Sequence, residues 1–150
     1  MKPIRDLQEF PQTGKILCLD VGKKTLGIAI CDALRTVATA YPTIKRTKWK
    51  NDKQTIAKYI QENNIECFVV GWPVNADGTK SSSTDAAESF ADTLADTFEL
   101  PVLLFDETYS TKQAEEAMLS TGMRRKKAKE RNLDSVAASF ILQNLLNSLN

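Results

Sequence analysis

The sequence predicts an α/β domain in which a mixed β-sheet carries helices on both faces. Short apolar segments alternate with longer amphipathic ones in the order βββαβαβαα. The first three strands follow one another closely, so they are expected to be antiparallel, whereas the later strands follow helices and are expected to have parallel neighbours. The 150 residues are expected to form a single domain, with residues 1–14 as a polar N-terminal arm.

The three leading strands are predicted over 15–21, 26–32 and 37–46. A short turn that contains glycine and lysine joins the first two, which are therefore expected to pair antiparallel. Pro42 lies within the third segment. Because proline has no backbone N–H to donate to a sheet, its presence favours an edge strand or a bulge.

The middle of the chain reads as a helix, a buried strand and a loop. Apolar residues at helical spacing predict an amphipathic helix over 51–64, with Asn51 or Asp52 as its N-terminal cap. The run ECFVVG at 66–71 is typical of a short buried strand, and the polar segment 72–83 is predicted to be a loop.

The last part of the chain reads as helix, strand, helix and helix. Helical spacing predicts an amphipathic helix over 84–98, and the run PVLLFDE at 101–107 predicts a strand. A further helix is predicted over 110–122, and Gly122 marks its C-terminal end. The final helix, 133–149, is the most apolar of the four.

The composition excludes several kinds of chemistry. The sequence contains no histidine, which rules out Ser-His-Asp and Cys-His catalysis, histidine zinc sites and histidine acid–base pairs. An enzyme built from this chain would have to use carboxylates, lysines, hydroxyls or a bound ion.

The cysteines and the termini favour a cytoplasmic protein. Cys18, Cys31 and Cys67 lie within strand-like segments without paired spacing, so they are expected to be small core residues in a reducing compartment. No secretory signal is apparent at the N-terminus, and no apolar run reaches the ~20 residues of a membrane span. No association with a membrane is therefore expected.

Two basic segments stand out from a chain whose net charge is +1. Residues 124–131 contain six basic residues and one acid, and residues 45–53 contain five basic residues and one acid. Such clusters are typical of proteins that bind a polyanion, and they suggest a nucleic-acid partner. The alternative is that both segments are solvated loops.

Three acidic residues from distant segments are predicted to meet at one end of the sheet. Asp20 and Glu107 lie at the carboxyl ends of predicted strands, and Asp134 lies in line with the apolar stripe of the last helix. Clustered carboxylates repel one another unless a cation lies among them, and oxygen ligands favour Mg²⁺ or Mn²⁺. Taken singly, these residues could instead be a turn former, a solvated residue and an acid at a helix N-terminus.

Four segments in order resemble the signature motifs of the bacterial pre-16S rRNA nuclease family, which is also described as Holliday-junction-resolvase-like. They are LDVGKKTLGIAICD at 19–32, VVGWPVNADGT at 69–79, FDETYST at 105–111 and LDSVAASFIL at 133–142. The resemblance covers nearly the whole chain. It implies a ribonuclease H-like fold with a five-stranded mixed sheet of order 3-2-1-4-5, and metal-dependent hydrolysis of phosphodiesters.

The resemblance also implies roles for individual residues. The acidic residues of the family correspond to Asp20, Glu107 and Asp134, which would be both catalytic and metal-binding. The sequence departs from the family at Thr108, where relatives usually have arginine. A phosphate contact made by that arginine would have to come from another cation, such as Lys23, Lys24 or Arg124.

Further polar residues are candidates for contact with nucleic acid. They comprise two turn lysines, two loop residues and a basic run: Lys23, Lys24, Asn75, Lys80, Arg124, Arg125, Lys126 and Lys127. Trp49 lies between two lysines and is a candidate for stacking on a base, whereas Trp72 is expected to cover the core. The alternative for the turn lysines is a role in solubility alone.

These observations favour a magnesium-dependent nuclease that matures the 5′ end of pre-16S rRNA during ribosome biogenesis. Two alternatives remain. One is a Holliday junction resolvase that acts on branched DNA and requires a dimer, and the other is a catalytically weak RNA-binding factor in ribosome assembly. The sequence leaves open whether the substrate is RNA or DNA, whether cleavage is endo- or exonucleolytic, and whether the protein is a monomer or a homodimer.

Overall fold

The predicted five-stranded mixed sheet is confirmed. The computed structural model describes residues 2–72, 82–106 and 133–149. The strands are β1 (Lys15–Val21), β2 (Thr25–Cys31), β3 (Ala38–Lys45), β4 (Ile65–Trp72) and β5 (Val102–Asp106). Their order across the sheet is β3-β2-β1-β4-β5. The pairs β1–β2 and β2–β3 are antiparallel, and β1–β4 and β4–β5 are parallel, as the connection lengths predict.

Three long helices lie within the described residues: α1 (Trp49–Asn63), α2 (Ser82–Phe98) and α3 (Leu133–Leu149). The helix predicted over 110–122 lies outside the described residues. None of the described helices combines the length and the apolar character that a membrane crossing would require.

The sheet separates two apolar cores. Leu17 and Leu19 of β1 contribute to the core beneath α1 and α2, whereas Ile16 and Cys18 contribute to the core beneath α3. This alternation follows from the period of two along a strand. Asp20 continues the series of Ile16 and Cys18, so its side chain belongs to the α3 face of the sheet.

The surface that the sheet presents to α3 contains several small side chains. Its buried members include Cys18, Ala29, Cys31 and Cys67. The prediction that the cysteines are core residues is therefore confirmed. Burial raises the pKa of the Cys67 thiol to about 12, so this thiol stays protonated and unreactive at neutral pH.

Helix α1 starts at Trp49, two residues before the predicted cap at Asn51. Lys48 is the N-cap residue, and its side chain makes no capping hydrogen bond. Asp52, in the first turn, stabilises the start of the helix instead. Its carboxylate accepts hydrogen bonds from the backbone N–H and the hydroxyl of Thr47. Because lysine is a poor cap, nothing at position 48 marks the start of the helix in the sequence.

The N-terminal arm packs against the rest of the chain. Ile4 pairs with β5, since its N–H donates to the Val102 carbonyl at 2.6 Å and its carbonyl accepts from the Leu104 N–H at 2.8 Å. The Arg35 guanidinium, which is buried, donates to the carbonyl oxygens of Pro11, Thr13 and Gly14. The arm therefore covers one edge of the sheet. At the other edge lies β3, which contains Pro42, as predicted.

Candidate active site

The first acidic residue of the site, Asp20, lies one residue before the end of β1 and is half-buried. Its neighbour on β2 is Gly27. The side chain lies on the face that packs against α3, at the end of the sheet where β1, β4 and β5 have their carboxyl ends. Functional residues in open α/β sheets collect at this end.

The second acidic residue, Asp134, is the second residue of α3 and is also half-buried. The hydroxyl of Thr25, the first residue of β2, donates a hydrogen bond to its carboxylate. The prediction that Asp134 lies in line with a buried stripe is confirmed, because Ala138, Ile141 and Leu145 are fully buried.

Gly27 allows α3 to approach the sheet beside Asp20. A Cβ atom at this position would lie 2.0 Å from the Asp134 carbonyl oxygen and 2.9 Å from the Ser135 backbone nitrogen. No side chain larger than hydrogen fits there without moving the helix. Because Gly27 is also the cross-strand neighbour of Asp20, the missing side chain brings the two acidic residues to the same place.

Ser135 fixes the position of α3 along β2. Its side chain is fully buried, and its hydroxyl accepts a hydrogen bond from the Ile28 N–H at 3.0 Å. The same hydroxyl lies 2.7 Å from the hydroxyl of Thr43 on β3. Sequence reasoning missed both Ser135 and Thr25. Ser135 could have been noticed in the motif LDSVAA, because it is a polar residue directly after Asp134.

The electrostatic environment disfavours two negative charges at this position. Burial, followed by repulsion from the Asp134 carboxylate, raises the pKa of Asp20 from 3.8 to about 7. A divalent cation between the two carboxylates would remove this repulsion. Carboxylate and hydroxyl oxygens from Asp20, Asp134 and Thr25 are suited to a hard cation such as Mg²⁺ or Mn²⁺.

The third predicted acidic residue, Glu107, lies outside the described residues, as do Thr108, Asn75, Lys80 and the basic run 124–127. In the part of the chain that the structure describes, no cluster of three or more potential metal ligands occurs among Asp, Glu and Cys side chains. Asp106, at the end of β5, is exposed and alternates with Phe105, which belongs to the α3 face.

The two turn lysines, Lys23 and Lys24, lie between β1 and β2 and are exposed. The turn is closed by a hydrogen bond from the Gly22 N–H to the Thr25 carbonyl at 2.9 Å. Thr25, which closes this turn, also donates a hydrogen bond to Asp134. The role of the two lysines as candidates for phosphate contact stays a prediction.

The two tryptophans have structural contacts. Trp49, a candidate for stacking on a base, is half-buried, and its ring makes a T-shaped contact with Phe90, with 5.5 Å between ring centroids. Trp72 covers the core as predicted, although it ends β4 rather than lying in a loop, and its indole N–H donates to Glu88 at 3.1 Å.

Comparison with known sequences identifies relatives along almost the whole chain. The RuvX family model, described as a Holliday junction resolvase, matches residues 14–148. A protein of Rhizobium rhizogenes is 40% identical over 147 residues, which are 97% of this chain and 89% of the relative. A protein of Rhodobacter capsulatus is 41% identical over 140 residues, with coverages of 93% and 87%. Both carry the name "Putative pre-16S rRNA nuclease".

Solved structures with the same fold include two proteins in complex with a Holliday junction. Thermus thermophilus RuvC in complex with a Holliday junction substrate has a TM-score of 0.53 at 13% identity, covering 90% of this chain and 94% of that one. Fowlpox virus resolvase in complex with Holliday junction DNA has a TM-score of 0.52 at 18% identity, with coverages of 90% and 98%. At these identities the likeness establishes a common fold of the ribonuclease H-like type.

Proposed function

The chain belongs to the RuvX family of Holliday junction resolvases, and we propose that it is a metal-dependent nuclease that processes pre-16S rRNA. The observation that carries the proposal is the convergence of Asp20 and Asp134 at the carboxyl end of β1. Burial, together with repulsion from the Asp134 carboxylate, raises the pKa of Asp20 to about 7. Two relatives that are 40% and 41% identical carry the name "Putative pre-16S rRNA nuclease", which supports pre-16S rRNA as the substrate.

We propose Asp20, Glu107 and Asp134 as the catalytic and metal-binding residues. Asp20 and Asp134 supply oxygens from a strand and a helix, and the Thr25 hydroxyl orients one oxygen of Asp134. Glu107 directly follows Asp106 in the chain, and strand alternation predicts the face of Asp20 for that position. A bound Mg²⁺ or Mn²⁺ would activate water and stabilise the charge that develops on the departing oxygen.

The chain's own residues would hold the substrate. Lys23 and Lys24 are exposed in the turn that Thr25 closes, and we propose that they offer positive charge to the phosphate that is cut. We propose that Asn75, Lys80, Arg124, Arg125, Lys126 and Lys127 make further contacts. Because Thr108 stands where relatives usually have arginine, we propose that Lys23, Lys24 or Arg124 supplies the missing cation.

The second candidate function is cleavage of four-way DNA junctions, which the description of the family favours. Symmetrical cleavage of two strands requires two active sites and therefore a homodimer, whereas trimming of one RNA strand is compatible with a monomer. Ribosomal RNA processing would place the protein in the cytoplasm. A third candidate, an RNA-binding assembly factor with little catalytic activity, predicts binding without cleavage.

The test compares two substrates under two metal conditions. The purified protein is incubated with precursor 16S rRNA and with a four-way DNA junction, each with Mg²⁺ and with EDTA. We expect cleavage of the RNA only with Mg²⁺, and a loss of at least about a hundredfold in the Asp20→Asn variant, because an amide is a poor ligand for a hard cation. Asp92→Asn, which changes an exposed acid on α2, is the matched control and should cleave like the wild type.

Each outcome identifies one of the candidates. Cleavage of the junction alone would favour the resolvase, and binding of RNA without cleavage under either metal condition would favour the assembly factor. Cleavage by a folded Asp20→Asn variant at the wild-type rate would overturn the carboxylate mechanism.

A further inference from the structure

A group of exposed lysines surrounds the turn after β1 and the start of α1. We call it the lysine surface, and its six members are Lys23, Lys24, Lys45, Lys48, Lys50 and Lys53. Among the described residues, none of these lysines takes part in an ion pair; the salt bridges there join Arg5 to Glu88 and Lys58 to Glu62. The net charge of the whole chain is only +1, so the six positive charges of this surface are offset by an excess of negative charge in the rest of the chain.

Hydrogen bonds to backbone carbonyls join the two parts of the lysine surface, which are the turn after β1 and the segment at the start of α1. The Arg46 N–H donates to the Lys24 carbonyl at 2.8 Å, and the Arg46 guanidinium donates to the Gly22 carbonyl at 2.6 Å. Lys45 is the cross-strand neighbour of Thr25, whose hydroxyl contacts Asp134. The lysine surface is therefore continuous with the candidate active site, although its two parts lie about twenty residues apart in the chain.

The acidic residue at the start of α1, Asp52, is buried. Asp52 is only 5% exposed, and its carboxylate accepts hydrogen bonds of 3.1 Å from the Thr47 N–H and from the Thr47 hydroxyl. Further along α1, the charge of Lys58 is balanced by Glu62 at 3.9 Å. Unbalanced positive charge is thus confined to the end of α1 that lies near the active site.

The stability of α1 does not account for these lysines. Lys48 is the N-cap residue, and Lys50 lies in the first turn. Cations at a helix N-terminus oppose the positive end of the macrodipole, so they are disfavoured there. Lysines at these positions are better explained by an anionic partner.

We propose that the lysine surface binds the sugar–phosphate backbone of the nucleic acid that the active site cuts, on one side of the scissile bond. The proposal rests on the proposed function, because the carboxylates define where that bond lies. Lysine ammonium groups act as point charges without a preferred base. The contact is therefore independent of sequence, and it extends the substrate site from the β1–β2 turn onto α1.

The test removes two charges from the lysine surface and two from elsewhere. Binding of a labelled single-stranded RNA and of a four-way DNA junction is measured in EDTA by fluorescence anisotropy at several salt concentrations. The test variant is Lys48→Gln/Lys50→Gln, and the matched control is Lys2→Gln/Lys58→Gln, which changes two other exposed lysines. A third variant, Lys48→Arg/Lys50→Arg, keeps the charge.

We expect the slope of log affinity against log salt to become shallower by about 0.7 for each lysine that contacts a phosphate of the RNA strand, and by about 0.9 on duplex DNA. The test variant should therefore change by up to about 1.4 on RNA, whereas the control and the arginine variant should match the wild type. Equal slopes for the test and control variants on both substrates would overturn the proposal. A slope change on one substrate only would identify the nucleic acid that this surface binds.

Cleavage is measured separately with Mg²⁺, so that the two proposals can fail independently. For the test variant we expect KM to rise by about tenfold while kcat stays within about twofold, because the carboxylates are unchanged. If the test variant shows the expected change in slope but the wild type cuts neither substrate, the proposed function is removed and the lysine surface remains as a binding site. A wild type that cuts RNA, with no change in slope in the test variant, would remove the lysine surface alone.

Discussion

Asp20 carries a free-energy cost in the folded protein. Burial and the neighbouring Asp134 carboxylate raise its pKa from 3.8 to about 7. Between these two values the folded state keeps a proton that the unfolded chain has already lost. The free energy of unfolding therefore falls as the pH rises from about 4 to about 7, and the loss is complete above the folded pKa. A residue retained under this cost is expected to serve the site rather than the fold.

Removal of the charge from Asp20 should stabilise the metal-free protein. In EDTA near pH 8, we expect Asp20→Asn to raise the free energy of unfolding by about 2 kcal/mol. That is roughly half of the ~4 kcal/mol that a three-unit pKa shift represents, because solvent screens a half-buried group. Near pH 4 the two proteins should differ little, since the carboxyl group is then protonated in the folded state.

Urea denaturation at several pH values measures this difference. Asp92→Asn, at an exposed position on α2, is the control and should keep the pH dependence of the wild type. If Asp20→Asn retained that pH dependence as well, the assignment of the raised pKa to Asp20 would be wrong.

At the scale of elements, the contact of α3 with β2 builds the site. Two features of opposite kind define it: the absent side chain of Gly27 allows the close approach, and the buried hydroxyl of Ser135 sets the position along the strand. The result is that the first turn of α3 lies beside the end of β1. The acidic residues thus depend on one helix–strand contact for their relative position.

Gly27→Ala should separate the acidic residues without changing either of them. The added methyl group would lie 2.0 Å from the Asp134 carbonyl oxygen, and because this is backbone, the whole first turn of α3 must move. We expect a loss of about 1–3 kcal/mol in unfolding free energy and at least a tenfold loss of cleavage. Gly22→Ala is the comparison, because its Cβ would lie 3.1 Å from the Thr25 carbonyl oxygen and should cost clearly less.

Thermal unfolding and single-turnover cleavage of precursor rRNA measure the two effects of Gly27→Ala. Wild-type cleavage in a folded Gly27→Ala protein would contradict the view that the close approach of α3 positions Asp134.

At the scale of the whole molecule, the topology directs several positive features to one end of the sheet. Helix α1 follows the end of β3, and the first turn of α3 lies against β2 near its start. Their N-termini, which carry partial positive charge, therefore lie near the carboxyl end of β1. The lysine surface lies at the same end. The molecule thus combines a local acidic pair with a surrounding field that attracts an anionic substrate.

Metal ions should stabilise the folded protein as a whole. Mg²⁺ or Mn²⁺ at a concentration about ten times its Kd would contribute about 1.4 kcal/mol, which corresponds to a rise of a few degrees in Tm for a chain of this size. We expect the rise in the wild type and in Asp92→Asn, but a much smaller one in Asp20→Asn. Differential scanning calorimetry at millimolar metal measures it. Equal Tm values with metal and with EDTA in the wild type would speak against a metal site.

Much of the fold could be predicted because its signals are local. The bounds of β1 and α3 coincide with the predicted 15–21 and 133–149, since both have uninterrupted apolar periodicity and clear ends. The start of α1 was predicted too late, because Lys48 and Trp49 are not residues that usually begin a helix. The pairing of Ile4 with β5 was not foreseen, because a single apolar residue in a polar segment has no periodicity to detect.

The sequence by itself determined the succession of strands and helices along the chain, the side of β1 that Asp20 shares with Ile16 and Cys18, and the line of Asp134 with the buried stripe of α3. Each of these follows from a repeat of two or 3.6 residues, which neighbouring positions in the chain specify. Only the tertiary structure decided that Thr25 contacts Asp134, that α3 rests on Gly27, and that Trp49 packs on Phe90. The first of these contacts joins residues 109 positions apart, and a distance between such segments is set by the packing of the whole sheet and its helices rather than by any local pattern.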